Sequence, residues 1–187
     1  MGRISSKVSP LDIMRIKKEK RRIAKLPADG RWVAVVRIRG TVNRPRVVND
    51  TLGFLRLHKP NHAVVIPLNE SYKGMLLKVQ NTIAWGEINF ETFKELLIEK
   101  GRVVGNKKLT DEIVRELSKG ELSSVEELAE KLWNKEISWK KLKWLKPVFR
   151  LHPPKGGYRG SIKKPFELGG SYGYWGEMIN ELLKRMM

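Results

Sequence analysis

The chain has 187 residues, and 41% of them are hydrophobic, which suffices for one compact domain with extensions or for two small domains. Lys and Arg number 38 against 20 Asp and Glu, so the net charge is +18. Because such an excess opposes compaction of the isolated protein, it predicts a polyanionic partner, with nucleic acid first and an anionic membrane surface second. The absence of Cys excludes a disulfide framework, a thiolate nucleophile and a Cys-rich zinc site.

The charge is segregated along the chain. Residues 1–31 carry a net charge of +7, residues 32–88 carry +5, residues 89–138 carry −2 and residues 139–187 carry +8. We interpret these four stretches as a basic N-terminal arm, a folded core, a helical appendage and a basic Pro- and Gly-rich tail with a short terminal helix. Since an ordinary soluble surface mixes the two signs, we expect several separate contacts with a polyanion rather than one basic face.

The N-terminal arm is the first predicted element. Pro10 suits the start of a helix that runs to about Leu26, but the stretch from Lys17 to Arg22 has no apolar face, so the isolated helix would be marginal. We interpret residues 1–31 as an arm that becomes ordered on binding, and a disordered solubility tail is the alternative. The arm lacks an apolar signal core, and no apolar run in the chain approaches the roughly 18 residues that span a bilayer, so the sequence predicts a cytoplasmic protein.

The first predicted strand runs from Trp32 to Arg39. Its even-numbered residues up to Ile38 are all apolar and are predicted to face the core. Its odd-numbered residues change from Val33 and Val35 to two arginines, which favours a sheet face that is open to an anionic partner.

The following elements alternate between helix and strand. A helix after Pro45 has the apolar stripe Val48, Leu52 and Leu55. The next elements are a strand from Ala63 to Ile66, a helix from Glu70 to Gln80 with Asn69 as its cap, and a strand from Ile83 to Ile88. This order predicts an α/β fold with a small β-α-β-α-β core, related to ferredoxin-like sheets, with its helices on one face.

Residues 89–138 are predicted to be helical. Asn89 is a cap for a helix that ends at Gly101, Thr110 precedes another, and Ser124 with Glu127 forms a capping box for a third. From Trp139 onwards, Lys alternates with apolar residues, and a long Pro- and Gly-rich segment with little periodicity continues to Gly173. Such a segment is typical of binding, and a short amphipathic helix from Glu177 to Met187 closes the chain.

The sequence contains no recognisable catalytic constellation. None of the three histidines, His58, His62 and His152, lies in a metal-ligand spacing. The Gly-rich stretch from Gly156 to Ser161 lacks the Gly-Lys-Ser/Thr ending of a phosphate-binding loop, so we reject that interpretation. Basic residues interleaved with Gly and aromatic residues remain, and this combination is typical of contacts with an RNA backbone and its bases.

The predicted RNA contacts fall into two groups, one in the core and one in the tail. The core group is Arg37, Arg39, Arg44, Arg46, Gly53, Arg56, His58 and Lys59, and the tail group is Lys155, Tyr158, Arg159, Lys163 and Lys164. Gly53 is open to two interpretations, because it could admit a phosphate backbone or could avoid a clash with the protein's own loop. For each Lys, the alternative is a solvated surface charge.

Several motifs resemble the universal large-subunit ribosomal protein thirty family, known as L-thirty in archaea and bacteria and as L-seven in eukaryotes. The similar stretches are residues 33–41, 50–62, 72–75, 82–88, 146–157, 168–170 and 179–180. The similarity covers roughly residues 32–187 and is weaker between Gly120 and Trp144. The tail is similar to the archaeal and eukaryotic forms, since the bacterial form is essentially the core alone.

The resemblance implies a structural, RNA-bound component of the large ribosomal subunit, without catalysis and without a cofactor. The partners that it implies are large-subunit ribosomal RNA and neighbouring ribosomal proteins, with 5S rRNA as a candidate neighbour. It implies neither a membrane partner nor a small-molecule substrate. An archaeal source is also expected. Three alternatives stay open: a ribosome-assembly or RNA-processing factor on the same scaffold, an RNA-modifying enzyme, and a membrane-surface role for the arm.

Overall fold

A computed structural model describes residues 9–118, 120–139 and 141–187. The first eight residues of the predicted arm, together with Lys119 and Lys140, lie outside the described residues. The helices are α1 (Pro10–Lys25), α2 (Arg46–Phe54), α3 (Glu70–Val79), α4 (Phe90–Lys100), α5 (Asp111–Leu117), α6 (Val125–Trp133) and α7 (Ile179–Met186). The strands are β1 (Trp32–Arg37), β2 (His62–Pro67), β3 (Ile83–Glu87), β4 (Phe149–Arg150) and β5 (Gly173–Tyr174).

The strands form one mixed sheet in the order β4-β2-β1-β3-β5. Central β1 is antiparallel to both β2 and β3, β4 is antiparallel to β2, and β5 is parallel to β3. The register pairs Val36 with Ala63 and Arg37 with Ile83, so β1 finishes where β2 and β3 begin. We call this edge the Arg37 end of the sheet.

The predicted α/β class is confirmed, and α2 and α3 lie together on one face of the sheet. They cover the odd-numbered side of β1, where Val33 and Val35 join one apolar cluster with Leu52 of α2 and Leu76 of α3. The prediction that this sheet face is open and basic is therefore wrong. Two valines precede Arg37 on that side, and burying them is worth about 1.5–3 kcal/mol each, which favours a covering layer.

The even-numbered side of β1 is covered as well. Ala34 and Val36 belong to a second cluster with Phe93 of α4, Leu132 of α6 and Leu183 of α7. This cluster draws side chains from the core, the appendage and the tail, so the sheet is the middle of three layers. The tail, whose sequence shows little periodicity, supplies the two outermost strands and the last helix of this arrangement.

Helix α1 begins with a capping box between Ser9 and Asp12, in which each side chain accepts a hydrogen bond from the other residue's backbone N–H. Its last turn is attached to the core, because Ile23 is buried in the cluster under α2 and α3. In addition, the Lys73 ammonium donates to the Leu26 carbonyl at 2.7 Å. Within the described residues, no helix is both long enough and apolar enough to cross a membrane.

Candidate nucleic-acid interface

Arg37 occupies the interior of the Arg37 end of the sheet, with 2% of its surface exposed. Its Nε donates to the Arg39 carbonyl at 2.8 Å, and its Nη1 donates to the carbonyls of Leu57 at 2.7 Å and His58 at 2.9 Å. Burial lowers the pKa of the guanidinium, and nearby Arg44 lowers it further. Arg37 was predicted as an RNA contact, but the structure places it where it holds the turn after α2 against the end of β1.

Arg39 and Arg44 lie at the same end of the sheet and are partly exposed. The Arg39 Nη1 donates to the Asn81 carbonyl at 3.2 Å. Burial and the charge of Arg44 lower the pKa of Arg39. Arg44 thus lies close enough to act on both Arg37 and Arg39, and like charges this close favour an external anion.

Helix α2 presents Arg46 and Gly53 to the outside. The Arg46 side chain is 94% exposed and makes a 3.8 Å ion pair with Asp50. A Cβ atom added at Gly53 would meet no atom within 4 Å, and Gly53 has ordinary helical backbone geometry. The protein's own packing therefore does not require glycine here, which excludes the clash with its own loop. Arg56, which follows the helix, is exposed and has a φ of +60°.

The turn between α2 and β2 adds His58 and Lys59, both exposed. His62 follows the turn, and its Nδ1 is buried without a hydrogen-bond partner in the described part of the chain. Its pKa is lowered, first by burial and then by the charges of Arg150, His58, Lys59 and Arg37. The imidazole is therefore partly desolvated and lies among basic side chains. Arg150 was absent from the predicted contacts because its exposure follows from the pairing of β4 with β2, which places it opposite His62.

Residues 155–164 form a loop, which we call the tail loop, and it approaches this turn through Tyr158. The Tyr158 hydroxyl donates to the Asn61 Oδ1 at 2.8 Å, and burial raises the pKa of Tyr158 to about 12. The ring was predicted as a stacking platform for a base, but the structure uses the side chain to attach the loop to the core. Arg185 of α7 supports the same loop by donating to the Lys155 carbonyl from Nε at 3.0 Å and from Nη2 at 2.8 Å.

The far side of the tail loop is attached near Arg39. The Arg159 guanidinium lies over the Phe166 ring at 4.8 Å from the ring centre. The Lys164 carbonyl accepts from the backbone N–H of Ser171 at 3.0 Å, and Tyr172, the next residue, interacts electrostatically with Arg39. Both ends of the loop are therefore held at the Arg37 end of the sheet.

These attachments combine the two predicted groups into one surface. We call it the basic end surface, and its members are Arg39, Arg44, His58, Lys59, Arg150, Lys155, Arg159, Lys163 and Lys164. Arg46, Gly53 and Arg56 of the α2 region adjoin it along the chain. Of all these cations, only Arg46 has a carboxylate within 4.0 Å in the described part of the chain. The two predicted groups thus lie close together in the fold, and their contacts with RNA stay a prediction.

Comparison with known proteins identifies the family. The model of the family described as ribosomal protein L30p/L7e matches residues 33–83. The large ribosomal subunit protein uL30 of Staphylothermus marinus is 52% identical over 157 residues, which cover 82% of this chain and 97% of that protein. The chain belongs to the ribosomal protein L30p/L7e family.

Other members of the L30p/L7e family match over a similar extent. The uL30 protein of Methanococcus maripaludis strain C5 is 50% identical over 155 residues, which cover 82% of this chain and 98% of that protein. The uL30 protein of Hyperthermus butylicus is 48% identical over 162 residues, which cover 82% and 89%. The predicted resemblance is thus confirmed, the relatives are archaeal as expected, and the family is structural rather than enzymatic.

Proposed function

We propose that this chain is a structural component of the large ribosomal subunit and that its basic end surface binds the phosphate backbone of ribosomal RNA. The observation that carries the proposal is the convergence of two segments, about Arg39 to Lys59 and Lys155 to Lys164, on one end of the sheet. The bond between Tyr158 and Asn61 joins residues 97 positions apart in the chain. The relatives that match most of the chain are named large ribosomal subunit proteins, which supports the same role.

The side chains of this surface suit phosphate recognition. The guanidinium of an Arg presents a planar fork of donors that fits phosphate oxygens, whereas Lys acts as a mobile point charge. Arg39 and Arg159 are held by contacts with the Asn81 carbonyl and the Phe166 ring, so little conformational entropy is lost when they bind. The exposed lysines Lys155, Lys163 and Lys164 add charge without fixed geometry.

Gly53 and Arg37 have different parts in this proposal. The open space over Gly53 allows an RNA backbone to approach α2 more closely than any other residue type would permit. Arg37 positions the turn that carries His58 and Lys59, and it does so from inside the protein. Contacts with the phosphate backbone fix the position of the protein on RNA and do not read base sequence.

The proposal includes neighbouring ribosomal proteins and 5S rRNA as partners close to this surface. Hydroxyl-radical footprinting of reconstituted large-subunit RNA with the full chain would report protected nucleotides in both the large ribosomal RNA and 5S rRNA. Protection of 5S rRNA that depends on the protein supports the extended proposal. Protection that is confined to the large ribosomal RNA overturns the part that concerns 5S rRNA.

Salt dependence of RNA affinity tests the main proposal. Three exposed lysines of the tail loop are replaced in one variant: Lys155→Gln, Lys163→Gln and Lys164→Gln. A control variant loses the same charge from lysines that already pair with the protein's own carboxylates: Lys94→Gln, Lys131→Gln and Lys184→Gln. Each lost phosphate contact reduces the slope of log K against log salt by about 0.7–0.9.

The expected result is a slope reduced by about 2–3 for the tail-loop variant and by much less for the control, measured with deproteinised large-subunit RNA. In a sucrose gradient at moderate salt, the tagged unaltered chain should sediment with large subunits. A chain that stays at the top of the gradient, or equal slopes for the two variants, would refute the proposal.

A further inference from the structure

A second group of cations lies on a small three-segment ribbon between α4 and β4. Arg102 and Lys108 form an antiparallel bridge, and Val103 and Leu145 form another. The Lys146 N–H donates to the Arg102 carbonyl at 2.9 Å, so Arg102 is flanked by Lys108 on one side and by Lys146 on the other. Residues that face each other across antiparallel segments point to the same side, so these three side chains share one side of the ribbon.

The other side of the ribbon is apolar and faces inward. Val103, Leu109 and Leu145 are each at most 4% exposed, and all three belong to the cluster that packs under α4 and α6. Lys108 is therefore directed outward and is exposed, while Arg102 and Lys146 are partly exposed. We call Lys108, Arg102 and Lys146 the ribbon row. At the usual strand separation, the row spans about 10 Å.

Like charges that face each other across paired segments oppose folding of the ribbon. None of the three cations of the row has a carboxylate within 4.0 Å among residues 9–118, 120–139 and 141–187. Exposed Lys107 in the adjoining turn adds to the charge. Evenly spaced cations with no acceptor between them fit a partner with regularly repeated negative charges.

We propose that the ribbon row binds the phosphate backbone of a second RNA segment, distinct from the one on the basic end surface. The proposal rests on the proposed function, since it takes ribosomal RNA to be the partner. The buried side of the ribbon belongs to the sheet face covered by α4 and α6, whereas α2 covers the opposite face. The ribbon and α2, which carries Arg46 and Gly53, therefore lie on different sides of the sheet, and on this proposal the protein connects two RNA segments.

The row could not be recognised from charge counting, because residues 89–138 are slightly acidic as a whole. The acids of that stretch lie largely on α4, α5 and α6, and several are paired with the protein's own lysines, as Glu126 is with Lys94. The ribbon instead places two cations of the appendage beside one of the tail.

The test uses a ribbon variant with Arg102→Gln, Lys108→Gln and Lys146→Gln in the full chain. It is compared with the tail-loop variant and with the Lys94, Lys131 and Lys184 control described above. With deproteinised large-subunit RNA, the ribbon variant should reduce the slope of log K against log salt by about 2–3. A variant that combines the ribbon and tail-loop substitutions should reduce it by about twice as much. In hydroxyl-radical footprints, each variant should lose protection of a different RNA segment, and thermal unfolding should confirm that every variant is folded.

The outcomes separate the two proposals. If the tail-loop variant loses slope and the ribbon variant behaves like the control, the ribbon proposal fails and the proposed function stands. If both variants lose protection of the same RNA segment, the row belongs to the first contact and the second segment is refuted. If neither variant differs from the control, the proposed function fails as well.

Discussion

Replacing Arg37 with Met separates a structural role from an RNA-binding one. The substitution keeps an unbranched apolar stem but removes three donated hydrogen bonds, to the carbonyls of Arg39, Leu57 and His58. Bonds from a charged donor contribute about 1.5–3 kcal/mol each. In the unaltered protein, the stabilisation from these bonds is partly offset by burial of the charge and by Nη2, which is buried without a partner in the described residues. We expect a net loss of about 3–4 kcal/mol in the free energy of unfolding.

The assay is thermal and urea unfolding, followed by RNA titration at a temperature where the variant is folded. For a chain of this length, about 3–4 kcal/mol lowers Tm by roughly 10 °C. Since Arg37 does not reach the surface, the salt slope of RNA affinity should remain unchanged. The matched control is Arg46→Gln at the exposed site on α2, which should leave Tm nearly unchanged and reduce the slope by about 0.7–0.9. A stable Arg37→Met protein with a reduced slope would refute the reasoning.

Three further predictions concern single side chains. Gly53→Ala should raise the free energy of unfolding by about 1 kcal/mol through helix propensity and should lower RNA affinity. The control Gly74→Ala, which also has open space around its Cβ, should stabilise α3 without affecting RNA binding. Equal RNA affinities of the two variants in filter binding would contradict this prediction. The pKa of His62 should lie below 6.5 in an NMR titration and rise when RNA phosphates bind. Because His62 binds its proton more tightly in the unfolded chain than in the folded protein, the free energy of unfolding should fall as pH decreases from about 6.5 towards the folded-state pKa. A pKa above 6.5 in the free protein would contradict the burial argument. Gly86→Ala should lower the free energy of unfolding by about 2–3 kcal/mol in urea, because its Cβ would collide with the backbone of Gly176. An unchanged urea midpoint would contradict this, since it would show that the turn at Gly176 can move away.

The regular elements were predictable because their signals are local. Pro10 begins α1, and Asn89 accepts a hydrogen bond from the Thr92 N–H at 2.9 Å at the start of α4, as its residue type predicts. The capping box predicted for α6 forms only in part. Ser124 accepts from the Glu127 N–H, but the Glu127 carboxylate accepts from Ser123 instead of from the backbone of Ser124. Hydrogen bonds from Lys131 and then from Ser123 lower the pKa of Glu127 to about 2.

The tail was harder to predict because its structure depends on distant partners. Strands β4 and β5 have only two residues each and exist because β2 and β3 offer free edges. Their sequences carry no period that would distinguish them from a loop. The same reason applies to the ribbon row, in which Lys146 comes beside Arg102 only after the appendage has folded.

The sequence by itself determined the α/β class, the alternation of helices and strands in the core, the family and the excess of positive charge. Those properties depend on residue type and on periodicity within short windows. Only the tertiary structure decided which cations are available to a partner, because availability depends on contacts between residues far apart in the chain. It buried Arg37, attached the tail loop to Asn61 through Tyr158, and left the basic end surface and the ribbon row without carboxylates of their own in the described residues.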